Sequence, residues 1–482
     1  MNTLLIDGQW LAGEGEWLIS HNPLDGRVLW KKRAADAEQA ALAVEAARAA
    51  QPEWAQRSLM ERTCCLQQFA DVLRLHQNDL AHVIELETGK SVAECMAEVD
   101  AMISKVQISL KAFQERSGDR RWGNRTLQHR PLGVVLVLGP FNFPGHLPNG
   151  QIVPALLAGN TVVFKPSEET PWVAEQMAVL WQAAGLPQGV FNLVQGDSDV
   201  GEALSQQAID GVFFTGSSTA GMQLHLQLAG RPDVLLAMEM GGNNPLIVDR
   251  NVPVDQAVEL IIQSAFATSG QRCTCARRLI VLDDGRKTRT LLKALVAASR
   301  RLALRPLINM AARNRLLGAQ ARLRSLGGHT LLAMQAHSDH SSLLSPGLID
   351  MTVPHQRDMS IPDEEWFGPL LQIYRVADSK AAIELANATR FGLAAGLISD
   401  DALLQQRFRQ QIRAGVVSIN TPTAGASSEL PFGGVGASGN HRPGAWYTAD
   451  ACVWPQSTRL GSAGLGSTGL GSTVSGHVRQ VS

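Results

Sequence analysis

The feature that most constrains this chain is an alternation of short apolar runs and helical segments that starts at Gly133. GVVLVLG, TVVFKP, VFNLVQG and GVFFTG have the length of strands, and between them lie PWVAEQMAVLWQAAG, VGEALSQQA and AGMQLHLQLAG, whose apolar residues recur at helical spacing. A strand that is apolar on both faces must be covered on both, the condition of a parallel sheet with helices on each side. The chain therefore reads as α/β, with a doubly wound sheet beginning at Gly133. Such sheets bind ligands beyond the carboxyl ends of their strands. FNFP, KPSEE and TGSS fall there, so a cofactor crevice is expected.

Residues 34–117 read as long helices, with Pro52 marking a break. A second αβ region follows Gly241: the helix VPVDQAVELIIQSAFATSG, the strand RRLIVL, a helix from Lys380 to Thr389 and the strand GVVSIN. A length of 482 residues exceeds what one core usually supports, which favours two or three domains. The final GSAGLGSTGLGSTVSGHVRQVS has little apolar mass to bury and is expected to be a disordered tail.

A formal net charge of -1 provides no overall field to steer the molecule to nucleic acid or an anionic membrane. The 5% of aromatic residues also argues against a stacking surface for single strands. The expected partner is a small molecule. Seven arginines between Arg300 and Arg324 read as a solvated helical face. The first residues lack a basic segment followed by an apolar run, and no apolar run reaches bilayer length. Six cysteines are too sparse for a disulfide scaffold. A cytoplasmic protein with reduced thiols is the expectation.

Three motifs carry chemistry. GQRCTCARR places Cys273 just after an apolar helix, beside Arg272; a thiol needs a base or positive surroundings to react. A lone cysteine is also a common small core residue. Pairing with Cys275 is not expected, because one intervening residue in an extended segment sends the two side chains to opposite faces. No further Cys or His nearby suggests a metal. MEMGGNNP sets Glu239 in an apolar run, where burial raises a carboxylate's pKa and suits it to act as a general base; a helix cap or an ion pair fits it too. GPFNFP holds Asn142 at a strand end, able to donate to a developing oxyanion, or simply to make a turn.

Together with PALLAGNTVVFKPSEETP, FTGSSTAG, EEWFGP and PFGGVGASGNHR, these motifs occur in an order and spacing that resemble the aldehyde dehydrogenase superfamily, from Leu5 to about Pro455. The resemblance implies a Rossmann-type NAD-binding domain (1–117 and 132–240) and an αβ catalytic domain (241–444). It also implies a small oligomerisation hairpin (118–131 and 445–457), leaving 458–482 as the tail, and a homodimer or homotetramer. It implies Cys273 as the nucleophile, Glu239 as the base, and Asn142 with the Cys273 N–H as the oxyanion hole. For NAD it implies Lys165, Ser167 and Glu168 at the adenosine ribose, Gly216, Ser217, Ser218, Thr219, Ala220 and Gly221 at the pyrophosphate, and Glu365 and Phe367 at the nicotinamide. A carboxylate at Glu168 favours NAD over NADP. Longer stretches such as FNFPGHLPNGQIVPALLAGN resemble members of the family that oxidise a succinylated acidic semialdehyde. His146, Asn149, Arg278, His441 and Arg442 are candidate carboxylate donors, each with a structural role as the competing reading.

The match departs from the family at RLALRPLINMAARNR (301–315), where the connection is shorter, and the polar stretch before Gly133 is also short. Loops tolerate deletion, so activity is expected to survive. The alternatives are a dehydrogenase of another acidic semialdehyde, a catalytically impaired relative, and a non-catalytic binding protein.

Overall fold

The computed structural model describes residues 2–338 and 341–461. Of the tail expected over 458–482, Thr458 and Arg459 instead lie in a strand paired with Thr126 and Arg125, and 462–482 lies outside the described residues.

The runs after Gly133 do form parallel strands. In the first sheet the order across space is Leu235–Met240, Gly211–Gly216, Val134–Leu138, Thr161–Lys165, Phe191–Leu193, Asn2–Ile6 and Gln9–Ala12. Val134–Leu138 is buried throughout and pairs in parallel with both Thr161–Lys165 and Gly211–Gly216. The sheet does not begin at Gly133, however. Asn2–Ile6 adds an antiparallel edge against Phe191–Leu193, because Leu4, Leu5 and Ile6 are apolar enough to be buried there. A local reading of seventeen mixed residues could not show that pairing.

Helix-rich segments cover this sheet. Pro52 breaks nothing: it lies inside the helix Ala37–Gln56. Trp54 is fully buried and donates its indole N–H to the Leu156 carbonyl at 3.0 Å, anchoring the last turn. The break comes at Arg57, and Ser58 and Glu61 restart the chain as a capping box for Leu59–Leu75. Gln77–Thr88 and Val92–Arg116 follow.

The second sheet has the order His329–Leu332, Gly347–Asp350, Leu370–Val376, Arg278–Leu282, Pro245–Val248, Ala394–Ile398 and Val416–Ile419. All neighbours are parallel except the first pair. Between the two sheets' chains, Arg120–Trp122, Arg125–Pro131 and Val453–Arg459 make a three-stranded antiparallel sheet with Trp122 and Trp454 exposed. Of residues 445–457, only those from Val453 onward lie in it, and its last strand continues to Arg459. No helix among the described residues is long and apolar enough to cross a membrane.

The arginine stretch is not one solvated face. Arg305 donates to the Gly89 and Lys90 carbonyls, Arg313 to those of Ser338 and Ser341, and Arg322 pairs with Glu364. These partners come from remote segments, invisible to helical spacing.

Candidate active site

The two sheets meet at a cleft of about 1090 Å³. It opens at the carboxyl ends of the first sheet's strands, and Asn142, Lys165, Ser167, Glu168, Gly216, Ser217, Thr219, Ala220, Glu239, Cys273, Glu365 and Phe367 all line it. Ser218 and Gly221 do not. Ser218 opens the helix Ser218–Gln227, and Gly221 is buried where a Cβ would lie 2.3 Å from Met240 Sδ.

Cys273 is placed by a strained turn. After the helix Val254–Phe266, Thr268, Ser269 and Gly270 adopt φ of 50°, 54° and 76°, and each non-glycine residue so placed costs roughly 1–2 kcal/mol. Tertiary bonds offset this. Thr268 Oγ1 donates to Glu94 at 2.6 Å, Ser269 exchanges hydrogen bonds with the Arg305 backbone, and Gly270 packs where a Cβ would meet the Gly368 carbonyl at 2.3 Å. Asn244 Nδ2 then donates to the carbonyls of both Cys273 (2.7 Å) and Cys275 (2.9 Å). The segment is a turn, closed by the Cys275 N–H on the Arg272 carbonyl, and not the extended run expected from sequence. Both thiols are free; Cys275 is buried against the Ala267 carbonyl, whereas Cys273 faces the cleft. Burial, then Glu365 and Glu239, push the Cys273 thiol up, so at rest it keeps its proton.

Glu239 lies on the strand Leu235–Met240, neither capping a helix nor ion-paired among the described residues. Burial pushes it up to about 7, against the pull of Lys105. Glu365 is likewise raised to about 7 by burial, with Arg277 and the Gly242 N–H pulling down. Gly241 lets the Glu365 carboxylate take this position: a Cβ would fall 1.7 Å from its Oε2 and displace it.

Asn142 is held from beneath. Lys90 donates to its carbonyl at 3.0 Å and pairs with buried Glu98, which in turn accepts the N–H groups of Gly145 and His146. The Asn142 amide donates to the Gln271 carbonyl at 3.0 Å, two residues before Cys273, which ties the oxyanion candidate to the thiol's own turn. Asn142→Ala should lower kcat about 10²–10³-fold with little change in cofactor binding, measured by steady-state NADH formation.

Of the remaining candidates, two are held in hydrogen bonds of the fold. Arg278 spends its guanidinium on the carbonyls of Asn243, Leu385 and Ala386, and Asn149 donates to the Met102 carbonyl. Burial pushes His146 down to about 4. His441 and Arg442 are exposed. None of the five lines the cleft.

The shortened connection closes without leaving a gap. Gln271 spans it, donating to the Pro306 carbonyl and accepting the Ile308 N–H, and Asn309 reaches Glu169 at 2.6 Å while capping the helix Met310–Ser325. That helix carries Ala312, Arg315 and Leu316 into the cleft wall. Sequence reading gave no functional role to Lys90, Glu98, Asn244, Gln271 or Arg315, although Asn244 and Gln271 lie within the motifs MEMGGNNP and GQRCTCARR and Arg315 ends RLALRPLINMAARNR.

The cleft fits a dinucleotide. Gly216 leaves space that a Cβ would fill against the Phe214 ring at 2.5 Å, and the helix after it, capped by Ser217, presents N–H groups to the cleft. A dinucleotide crevice facing a thiol, two raised carboxylates and a fixed amide defines a nicotinamide-dependent dehydrogenase with a cysteine at its centre. The chain belongs to the aldehyde dehydrogenase family, which it matches over residues 10–456. It is 50% identical over 472 residues to the N-succinylglutamate 5-semialdehyde dehydrogenase of Escherichia coli O139:H28 (strain E24377A / ETEC), covering 95% of each chain. It is 51% identical over 471 residues to the protein of that name from Chromobacterium violaceum, covering 94% of this chain and 96% of that one. Among solved structures, one described as an E. coli NADP dependent enzyme superposes with a TM-score of 0.87 at 31% identity, covering 95% and 98%.

Proposed function

We propose that this protein oxidises N-succinylglutamate 5-semialdehyde to N-succinylglutamate with NAD, through a covalent intermediate on Cys273. The observation that supports it most is the convergence of Cys273, Glu239 and Asn142 on the cleft that also holds Lys165, Glu168 and Glu365. NAD, when bound, supplies the hydride acceptor. Glu239 takes the thiol proton, and the thiolate attacks the aldehyde carbon to form a thiohemiacetal whose oxygen is held by the Asn142 amide and the Cys273 N–H. After oxidation to the thioester, Glu239 gives the thiol proton up to solvent; water then attacks the carbonyl carbon, Glu239 takes the water's proton, and the C–S bond breaks to release the acid.

A base works only when ionised. With Glu239 raised to about 7, turnover should fall as pH drops through about 7, tenfold per pH unit well below it; a kcat profile between pH 5.5 and 9 checks this. A flat acid side would remove Glu239 from the mechanism.

The nicotinamide nucleotide is assigned as NAD on Glu168, whose carboxylate lines the cleft beside Lys165 and repels an added 2′-phosphate. Glu168→Ser should raise kcat/KM with NADP relative to NAD by about 10-fold or more, since the repulsion removed is of the order of 1–2 kcal/mol. Comparison of kcat/KM among glutamate, succinate and N-succinylglutamate semialdehydes tests the substrate. The protein is assigned to the cytoplasm as a homodimer or homotetramer, which the exposed Trp122 and Trp454 on the three-stranded sheet support; sedimentation equilibrium decides the number of subunits.

A further inference from the structure

Lys105 is a cation where none is expected. It lies near the middle of the helix Val92–Arg116 and is almost wholly buried. A buried ammonium is costly unless it is partnered, yet among the described residues its three donors form a single hydrogen bond, to the Ala445 carbonyl at 3.1 Å.

Lys105 runs past the facing helix His146–Ala158, its Cε packed in ordinary contact beside Gly150. Next to Ala445, Gly444 leaves room for Glu239, whose Oε1 lies 1.6 Å from the position of a Cβ. Lys105 and Glu239 thus approach the Gly444–Ala445 backbone from opposite elements. No direct ion pair joins them among the described residues, yet each is the charged group that most acts on the other, Glu239 raising Lys105 and Lys105 lowering Glu239.

We propose that Lys105 is a positioning residue for the base: its ammonium keeps the Glu239 carboxylate charged and aimed during hydrolysis of the thioester. This rests on the reading of Glu239 as the base. Lys105 stays protonated throughout; the water proton goes to Glu239 and the thiolate of Cys273 leaves.

The groups around the pair agree with this role. Glu239 faces Lys105 from the Val92–Arg116 helix and Cys273 from the turn after Gly270. Lys105 in turn faces Glu239, the Cys452 thiol and the His146 ring. His146 is held neutral by burial, and burial also pushes the Cys452 thiol up, so Glu239 is the anion that Lys105 meets. Burial pushes Lys105 itself down to about 8, against the pull of Glu239. A cation beside a carboxylate lowers that carboxylate's pKa; removing the cation must therefore raise the Glu239 pKa and move the acid limb to higher pH.

The test is stopped-flow NADH formation with the full-length enzyme, comparing Lys105→Met, Lys105→Gln and Lys105→Arg with Glu239→Gln. Lys105→Met should keep NAD affinity, slow both the first-turnover burst and turnover about tenfold near pH 6.5, since Glu239 serves both steps, and shift the acid limb up by about one pH unit. Lys105→Arg should restore the original limb. Lys105→Gln retains a donor to the Ala445 carbonyl and carries the same comparison if the Met variant does not fold. An acid limb unmoved in a folded neutral variant overturns the proposal, and so does a loss confined to stability or KM. Full turnover in Glu239→Gln would instead overturn the base assignment itself, whatever Lys105 does.

Discussion

Cys273→Ala should abolish NADH formation from N-succinylglutamate 5-semialdehyde, by about 10⁴-fold or more, because a covalent route cannot run without its nucleophile. The structure offers no substitute. Cys275 is the nearest thiol in sequence, but it is buried against the Ala267 carbonyl and does not line the cleft. The variant should stay folded, since among the described residues the Cys273 side chain makes no hydrogen bond that holds the turn. That task falls to Asn244, Thr268 and Ser269, acting on the backbone and on Glu94. NAD binding, followed by titration of cofactor or protein fluorescence, should therefore match the parent, and the same assay excludes a merely unfolded variant. Wild-type rates in a folded Cys273→Ala protein would remove the covalent mechanism altogether. Cys275→Ala is the companion control and should retain most activity.

Glu98→Gln should be the most damaging change outside the catalytic set. Lys90 and Glu98 are buried together, and removing one member of such a pair leaves a charge without its counterion, at a cost of about 3–5 kcal/mol. Glu98 also accepts the Gly145 and His146 N–H groups, and Lys90 holds the Asn142 carbonyl, so the loss reaches the oxyanion candidate. Two effects are expected together: an earlier midpoint in urea, and a kcat lowered at temperatures where the variant is still folded. The paired change Lys90→Met with Glu98→Leu should recover part of the stability, since apolar replacement of a buried ion pair is often neutral. It should not recover kcat, because nothing then supports Asn142 from below. Recovery of both would make the pair a purely structural element.

Glu98 was out of reach of sequence reading for a definable reason. In VAECMAEVD it stands on a helix rich in ordinary helix formers, four residues after Glu94, and nothing local distinguishes a carboxylate that turns inward from one facing water. The same holds for Lys105, seven residues further on, whose partner is the Ala445 carbonyl 340 residues away. Arg315 belonged to a run of arginines with a bland helical reading; tertiary packing sent its neighbours to separate backbone carbonyls and Arg315 to the cleft. By contrast, Cys273, Glu239 and Asn142 were legible because their motifs interrupt apolar strands and helices with groups that burial makes expensive.

The sequence by itself determined the class of fold and the chemical groups available. Period and length of the apolar runs admit little besides a parallel sheet, and residue type fixes what a thiol, a carboxylate or an amide can do. Its local misreadings arose where a distant partner outweighs a local rule. Pro52 stays helical because Trp54 is anchored to Leu156, and the N-terminal strand forms because Phe191–Leu193 offers it an edge. Only the tertiary structure decided which charges are buried and against what. Desolvation and Coulomb attraction depend on distance through space, which sequence order does not encode. Cys273, Glu239 and Asn142 share a cleft because two sheets bring their ends together, and Lys105 and Glu239 meet at the Gly444–Ala445 backbone, where Gly444 leaves Glu239 room.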